Sequence, residues 1–513
     1  MKRASGFGEQ PGSGASVTVV LLLYVLTGLI FYVVATTRNG LFPTGDLFVW
    51  RGDFGSLALC LEGHSQSCAE ISKFPLGYTF NSALLALATK LTTLPFPDFV
   101  GILNSFALAL PILLLRSTQG SRALLTAWAL YVAVWILTPI PRFYLFTGSL
   151  EVQAGALIGM AFVLTFGAIQ AKPKPANGML RPTIGSLLVC NGLWFLACLY
   201  KDTSLLTVAV VGLLLLLLKP SLGQWRRAGR HLHAARQAEA ASATRLLPGQ
   251  PLGLLWLSLP GLVGASLCSI GLNLVRYHTI LPEAYLHEAK ITATPVLFRL
   301  QSLLWSLYSP NGGILVFWGL AIAAVLLGTI WLGVGPSRLA IKAACLWASI
   351  SLIGLSQWWN PFGWASWGNR LMVPAMMVVV ICLWHGLTGP WDDKIRPALG
   401  RPSTGAIPTQ PNKHHKESPL PTFYLQRLAI VVLLIIISAP YVALGYQTNP
   451  SQAVNTPAPN APHCTTMMTL LSAIPLEKHL ELVYSSALYR QCALESFQHN
   501  PSTHAKAEPK PAL

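Results

Sequence analysis

Charge is scarce in this chain. Only 10% of its 513 residues are Asp, Glu, Lys or Arg, while 53% are apolar; soluble domains carry about 25% charged residues. A water-soluble surface has to be covered with polar groups, so this deficit argues against an ordinary soluble enzyme and for a surface that faces lipid. The apolar runs also lack the period-2 alternation of a barrel strand, and no repeat of fixed period is visible. No CxxC or His–Cys spacing of a zinc site occurs among the nine cysteines, which argues against metal bound through sulfur. Acids are the rarer charge, 18 against 35 Lys and Arg, for a formal net charge of +17.

What is present is a series of long apolar runs. Candidate spans are 16–36, 99–115, 124–140, 151–171, 182–200, 203–218, 254–275, 312–333, 339–357, 372–389 and 428–444. A helix needs about 20 apolar residues to cross about 30 Å of hydrocarbon, and in lipid only helices and closed barrels satisfy their own backbone. The expectation is an all-α integral membrane protein with about eleven transmembrane helices. The first run follows Lys2 and Arg3 as a signal peptide would. Its length exceeds the usual ~7–15-residue apolar core of such a signal, so it reads as a retained span.

Charge sets the expected orientation. With residues 1–15 in the cytoplasm and the C-terminus outside, most of the 35 Lys and Arg fall in cytoplasmic loops, above all 219–253 and 390–427, and few of the 18 acids do. That is the positive-inside pattern, and it explains the basic balance better than nucleic-acid binding does. Residues 74–91 are apolar enough for another crossing. Counting them as one would turn the arginine-rich 219–253 segment outward, so they are assigned to a re-entrant or interfacial helix on the outer face. The membrane domain then covers 16–444, with long outer loops at 37–98 and 276–311 and an outer tail at 445–513. Five cysteines lie in apolar spans; Cys60 with Cys68 and Cys464 with Cys492 fall outside, where disulfides persist.

Polar residues gather in the outer loops without a topological reason. Asp46 and Asp53 lie in the first. Glu151 opens a span, and Lys201 and Asp202 occupy a tight turn. Arg276, His278, His287 and Arg299 belong to the loop 276–311, and Trp364, Trp367 and Arg370 end the stretch WWNPFGWASWGNRL. Mixed charge at helix ends suits an anionic ligand beside a carboxylate base. The histidines read as loop residues rather than metal ligands. The tryptophans read as an interfacial belt that leaves room for sugar stacking.

Four pieces in order resemble the GT-C class of polytopic glycosyltransferases. They are TGDLFVW with Asp46, KFPLGYTFNSALLAL, YSPNGGILVFWGLAI and WNPFGWASWGNRLMVPAM. The resemblance is to bacterial members of the protein-mannosyltransferase-like and uncharacterised GT-C type. It implies inverting transfer of a sugar from a polyprenyl-phosphate donor at the outer face of a bacterial inner membrane. Asp46 is then the expected base, Asp53 its alternate, and Glu151 a second site acid. Arg370, with Lys201, Asp202, Arg276 and Arg299, is expected at the donor phosphate, and Trp364 and Trp367 at the sugar. The cofactor is left open, a divalent cation included. Lipid and lipid-linked sugar are the expected partners, with no nucleic acid. Competing readings are an O-antigen ligase or polymerase resting on outer Arg and His, a transporter or lipid flippase, and a non-catalytic membrane scaffold.

Overall fold

The computed structural model describes residues 17–39, 56, 59, 63–64, 66–67, 76–92, 96–115, 121–138, 144–145, 150–170, 184–200, 250–280, 296–308, 313–332, 338–356, 370–387 and 428–439. No strand occurs among them, and the architecture is all-helical. In chain order the helices are α1 (Val17–Asn39), α2 (Leu76–Leu91), α3 (Phe96–Ala109), α4 (Ser121–Leu137), α5 (Glu151–Gln170) and α6 (Ile184–Tyr200). There follow α7 (Gln250–Tyr277), α8 (Val296–Tyr308), α9 (Ile314–Leu332), α10 (Arg338–Ser356), α11 (Val373–Leu387) and α12 (Leu428–Ala439). Each expected span except 203–218, which lies outside the described residues, overlaps one of these helices. Helix α8 falls within a segment expected to be loop. Its Val296, Leu300 and Leu304 form an exposed stripe at four-residue spacing, a helical period that the charges around it obscure.

Two helices form the centre. Val152, Ala154, Ile158, Ala161 and Phe162 of α5 are fully buried, as are Met377, Val378, Val380 and Ile381 of α11. A helix apolar all round belongs in the interior. Small residues set how closely the two approach: Gly155 faces Pro374 and Met377, and Gly159 faces Ile381. This GxxxG spacing lets backbones pack without side chains between them. Because 155 meets 374–377 and 159 meets 381, α5 and α11 run parallel. A Cβ at Gly155 would stand 2.9 Å from Met377 Cβ and 3.1 Å from Pro374 Cα, whereas one at Gly167 of the same helix meets nothing within 4 Å. Gly155→Val is therefore expected to lower stability by about 1–3 kcal/mol through overpacking. Gly167→Ala should raise it by up to about 1 kcal/mol through helix propensity. Thermal midpoints of the purified variants check both signs.

Other contacts fix further directions. Tyr32 on α1 donates to Asp98 at the start of α3 at 3.0 Å, and Gly28 faces Phe106, so these helices are antiparallel. Trp128 Nε1 donates to Thr27 at 2.8 Å, and Tyr131 packs on Phe31, so α1 and α4 are parallel. Ser438 donates to the Leu315 carbonyl and Gly319 faces Leu434, so α9 and α12 are antiparallel. Between α6 and α7, Asn191 meets Trp256 and Gly261 while Phe195 meets Gly264. These two run parallel, so the end of α6 and the start of α7 lie at opposite ends of the pair.

Two helices contain prolines whose missing N–H groups are compensated from next door. Pro111 sits in the first turn of the 3-10 helix Leu110–Leu114 that ends α3, and the Leu108 carbonyl accepts from the Tyr131 hydroxyl at 2.6 Å. Pro260 interrupts α7. There the carboxamide of Asn191 donates from Nδ2 to the Trp256 carbonyl at 2.9 Å and accepts at Oδ1 from the Gly261 N–H at 2.8 Å. Residue 256 is four before the proline, so its carbonyl is the one that loses a helical donor.

The outer surface is apolar. Val17–Thr36 and Leu255–Val275 are long and apolar enough to cross a membrane, yet only 28% of each window is buried. Leu21, Leu22, Val25 and Leu29 of α1, Val263 and Leu267 of α7, and Ile430, Leu433 and Ile436 of α12 all face outward. Apolar surface of this extent is unsuited to water.

Candidate functional site

Glu151 and Arg370, 219 positions apart in sequence, meet at one end of the α5–α11 pair. Arg370 Nε donates to Glu151 Oε1 at 3.0 Å, with Glu151 only 2% exposed and Arg370 16%. The sequence places each locally. Glu151 is the first residue of α5, where a carboxylate faces the positive end of the helix dipole. Arg370 opens a 3-10 turn, Arg370–Met372, that leads into α11, where Pro374 stands in the first turn. Since the two helices are parallel, both positive ends lie together, and the guanidinium adds to them. One carboxylate against an arginine and two N-termini leaves a net positive environment, which suits a phosphate oxygen.

A hydrogen-bonded chain of buried side chains lies beside the pair. The Tyr200 hydroxyl donates to Asn81 Oδ1 at 2.9 Å, Asn81 Nδ2 to Gln153 Oε1 at 2.8 Å, and Gln153 Nε2 to Asn104 Oδ1 at 2.6 Å. Asn104 Nδ2 then donates to the Leu145 carbonyl at 3.0 Å. A carbonyl only accepts, so this end fixes the orientation of all three amides and requires a donor at the other, which Tyr200 supplies. Asn81 and Asn104 are 0% exposed, Gln153 3% and Tyr200 8%. At Gly77 a Cβ would stand 2.9 Å from Tyr200 Cα, so glycine is needed for α2 to lie against the end of α6. Asn81 and Asn104 hold the same glutamine from either side of the short link between α2 and α3.

Of the residues singled out in the sequence, the structure joins Glu151 to Arg370. Arg299 is half-buried on α8 and has interactions of its own. Arg276 lies in the last turn of α7, its side chain outside the description. His278 serves the backbone: with φ 56° it closes α7, its N–H bonded to the Leu274 carbonyl at 3.0 Å. Asp46, Asp53, Lys201, Asp202, Trp364 and Trp367 lie outside the described residues, as do Cys60, Cys68, Cys464 and Cys492. No disulfide occurs among the described residues, and the structure gives the expected pairings no support. Nor do the described residues group three His, Cys, Asp or Glu side chains as a metal would need. The residues that sequence reasoning passed over are Asn81, Asn104, Gln153, Asn191 and Tyr200. The available signal was an amide in an apolar run, which has to find a partner.

No protein-family profile matches the chain, and no curated protein does. Two solved structures match over 97% of this chain and 82% of theirs: ArnT from Cupriavidus metallidurans bound to undecaprenyl phosphate, and the same protein in the apo state. Each match has 16% sequence identity and a TM-score of 0.37. A likeness that distant decides nothing about chemistry, which has to be read from the side chains.

Proposed function

We propose that this chain is a polytopic membrane glycosyltransferase that moves a sugar from a polyprenyl-phosphate donor to an acceptor at the outer membrane face. The observation that carries the proposal is the buried Glu151–Arg370 pair at the meeting of two helix N-termini. The anchors of the first long loop support it. That loop leaves α1, whose Tyr32 holds Asp98, and ends at α2, whose Asn81 is tied to Gln153 two residues from Glu151. In this reading an acid of that loop acts at the end of the bundle where Arg370 lies. The helix directions also agree with about eleven alternating crossings. Spans expected to run the same way, α1 with α4, α5 with α11 and α6 with α7, are parallel; α1 with α3 and α9 with α12 are antiparallel as expected. The outward Leu, Val and Ile side chains suit lipid.

In this reading Asp46 takes the acceptor hydroxyl proton as the oxygen attacks the anomeric carbon, with Asp53 as the alternate base. The bond from that carbon to the phosphate oxygen breaks on the opposite face, which inverts the configuration. Polyprenyl phosphate leaves with the bonding pair, and the charge that develops on it falls to Arg370 and the two helix N-termini. Glu151 keeps the guanidinium oriented before the donor arrives.

The test is transfer from a polyprenyl-phosphate sugar by the purified protein in lipid. Asp46→Asn should lower kcat by about 10²–10⁴-fold, the usual contribution of a general base, with protein level and thermal midpoint unchanged. Full activity in both Asp46→Asn and Asp53→Asn would remove the first-loop base. Loss confined to outer Arg and His variants would favour a ligase or polymerase. Movement of a solute without any glycan product would favour a transporter.

A further inference from the structure

We infer that Gln153 is a positioning residue, the centre of a hub that ties α2, α3, α6 and Leu145 to the helix end that carries Glu151. Its amide is held on both sides, by Asn81 of α2 at 2.8 Å and by Asn104 of α3 at 2.6 Å. Through Asn81 it reaches Tyr200, and through Asn104 the carbonyl of Leu145. In sequence each of these points adjoins a stretch that carries candidate chemistry. Helix α2 ends the loop of Asp46 and Asp53, Tyr200 directly precedes Lys201 and Asp202, and Leu145 belongs to the loop ahead of Glu151. Gln153 itself lies in the first turn of the helix that Glu151 opens.

The chain of bonds has one sense, from the Tyr200 hydroxyl to a backbone carbonyl. No amide in it can rotate alone without setting donor against donor or acceptor against acceptor. Its members are at least nine-tenths buried, where an unmade hydrogen bond is costly and a complete network is rigid. The four anchors therefore move together. Reacting groups displaced by about 1 Å lose about 100-fold in rate, so a hub of this kind sets kcat without touching the substrate. This role rests on the glycosyl-transfer reading for its catalytic consequence but not for its mechanical one, and the two are tested separately.

The mechanical test is hydrogen exchange on the full-length protein in lipid nanodiscs, comparing wild type with Gln153→Met and with the milder Tyr200→Phe. For Gln153→Met, exchange should rise about tenfold together at residues 76–81, 144–145 and 197–200, with α9 and α12 unchanged. Tyr200→Phe should give the same rise at 76–81 and 197–200. A change limited to the first turn of α5, or spread evenly over the whole fold, would overturn the hub. The catalytic test is the split between kcat and KM. Tyr200→Phe should lower kcat at least tenfold with KM for the lipid donor unchanged, measured at a temperature where the variant stays fully folded. A kcat within twofold of wild type would overturn the positioning role. If the wild-type protein transfers no sugar, the glycosyl-transfer reading fails alone, and the exchange pattern still decides whether the hub exists.

Discussion

Replacing Arg370 with Met should cost about 3–5 kcal/mol of stability and abolish transfer, while Glu151→Met together with Arg370→Met should restore most of the stability and none of the activity. Glu151 is almost fully buried and its partner largely so. Removing the arginine takes the paired cation from a carboxylate in a low-dielectric site, and breaking one side of a buried pair costs about that much. Removing both charges and filling the space with an apolar side chain is often neutral, because the desolvation of two ions is no longer required. A purely structural pair would show the same stability cycle. Only a catalytic pair loses transfer in the stable double variant. Thermal midpoints and turnover measured on the same samples decide the matter; a double variant that is both stable and active would remove Arg370 from the site.

The second large effect concerns α7. Asn191→Leu should destabilise the protein by about 2–4 kcal/mol, since it orphans the Trp256 carbonyl and the Gly261 N–H at about 1–3 kcal/mol each. Adding Pro260→Ala should return much of that loss. Alanine supplies the N–H that proline lacks, and the Trp256 carbonyl regains its helical donor. The coupling between the two positions is expected at about 1–3 kcal/mol. This cycle also tests the solvent. Trp256 is exposed on the outer face of the bundle. Water there would hydrate the freed carbonyl and make Asn191→Leu nearly silent, whereas in hydrocarbon nothing replaces the lost bond. A silent Asn191→Leu would therefore place this face in water and sink the membrane reading of α7.

The extent of the helices was legible in the chain because apolar runs and their boundaries are local properties. Glu151 at a helix start and Arg370 ahead of Pro374 were legible as ends for the same reason. Helix α8 was not, since its stripe of Val296, Leu300 and Leu304 lies in a segment where charges dominate the average. The site was half legible: the sequence pointed to Glu151 and Arg370 as separate candidates for acid and phosphate ligand. That they bind one another depends on Gly155 and Gly159, which let α5 and α11 run side by side in the same direction.

Hydropathy and charge thus determined by themselves an all-helical chain with an apolar exterior, because each such signal is carried by about twenty neighbouring residues. Which helices touch, and which polar groups inside them pair, was decided only by the tertiary structure. An amide such as Asn81, Gln153 or Asn191 has to find a hydrogen-bond partner in an apolar interior, but its own sequence does not say where. The partner comes from another helix, tens of residues away, and its position is fixed by how closely two backbones can approach.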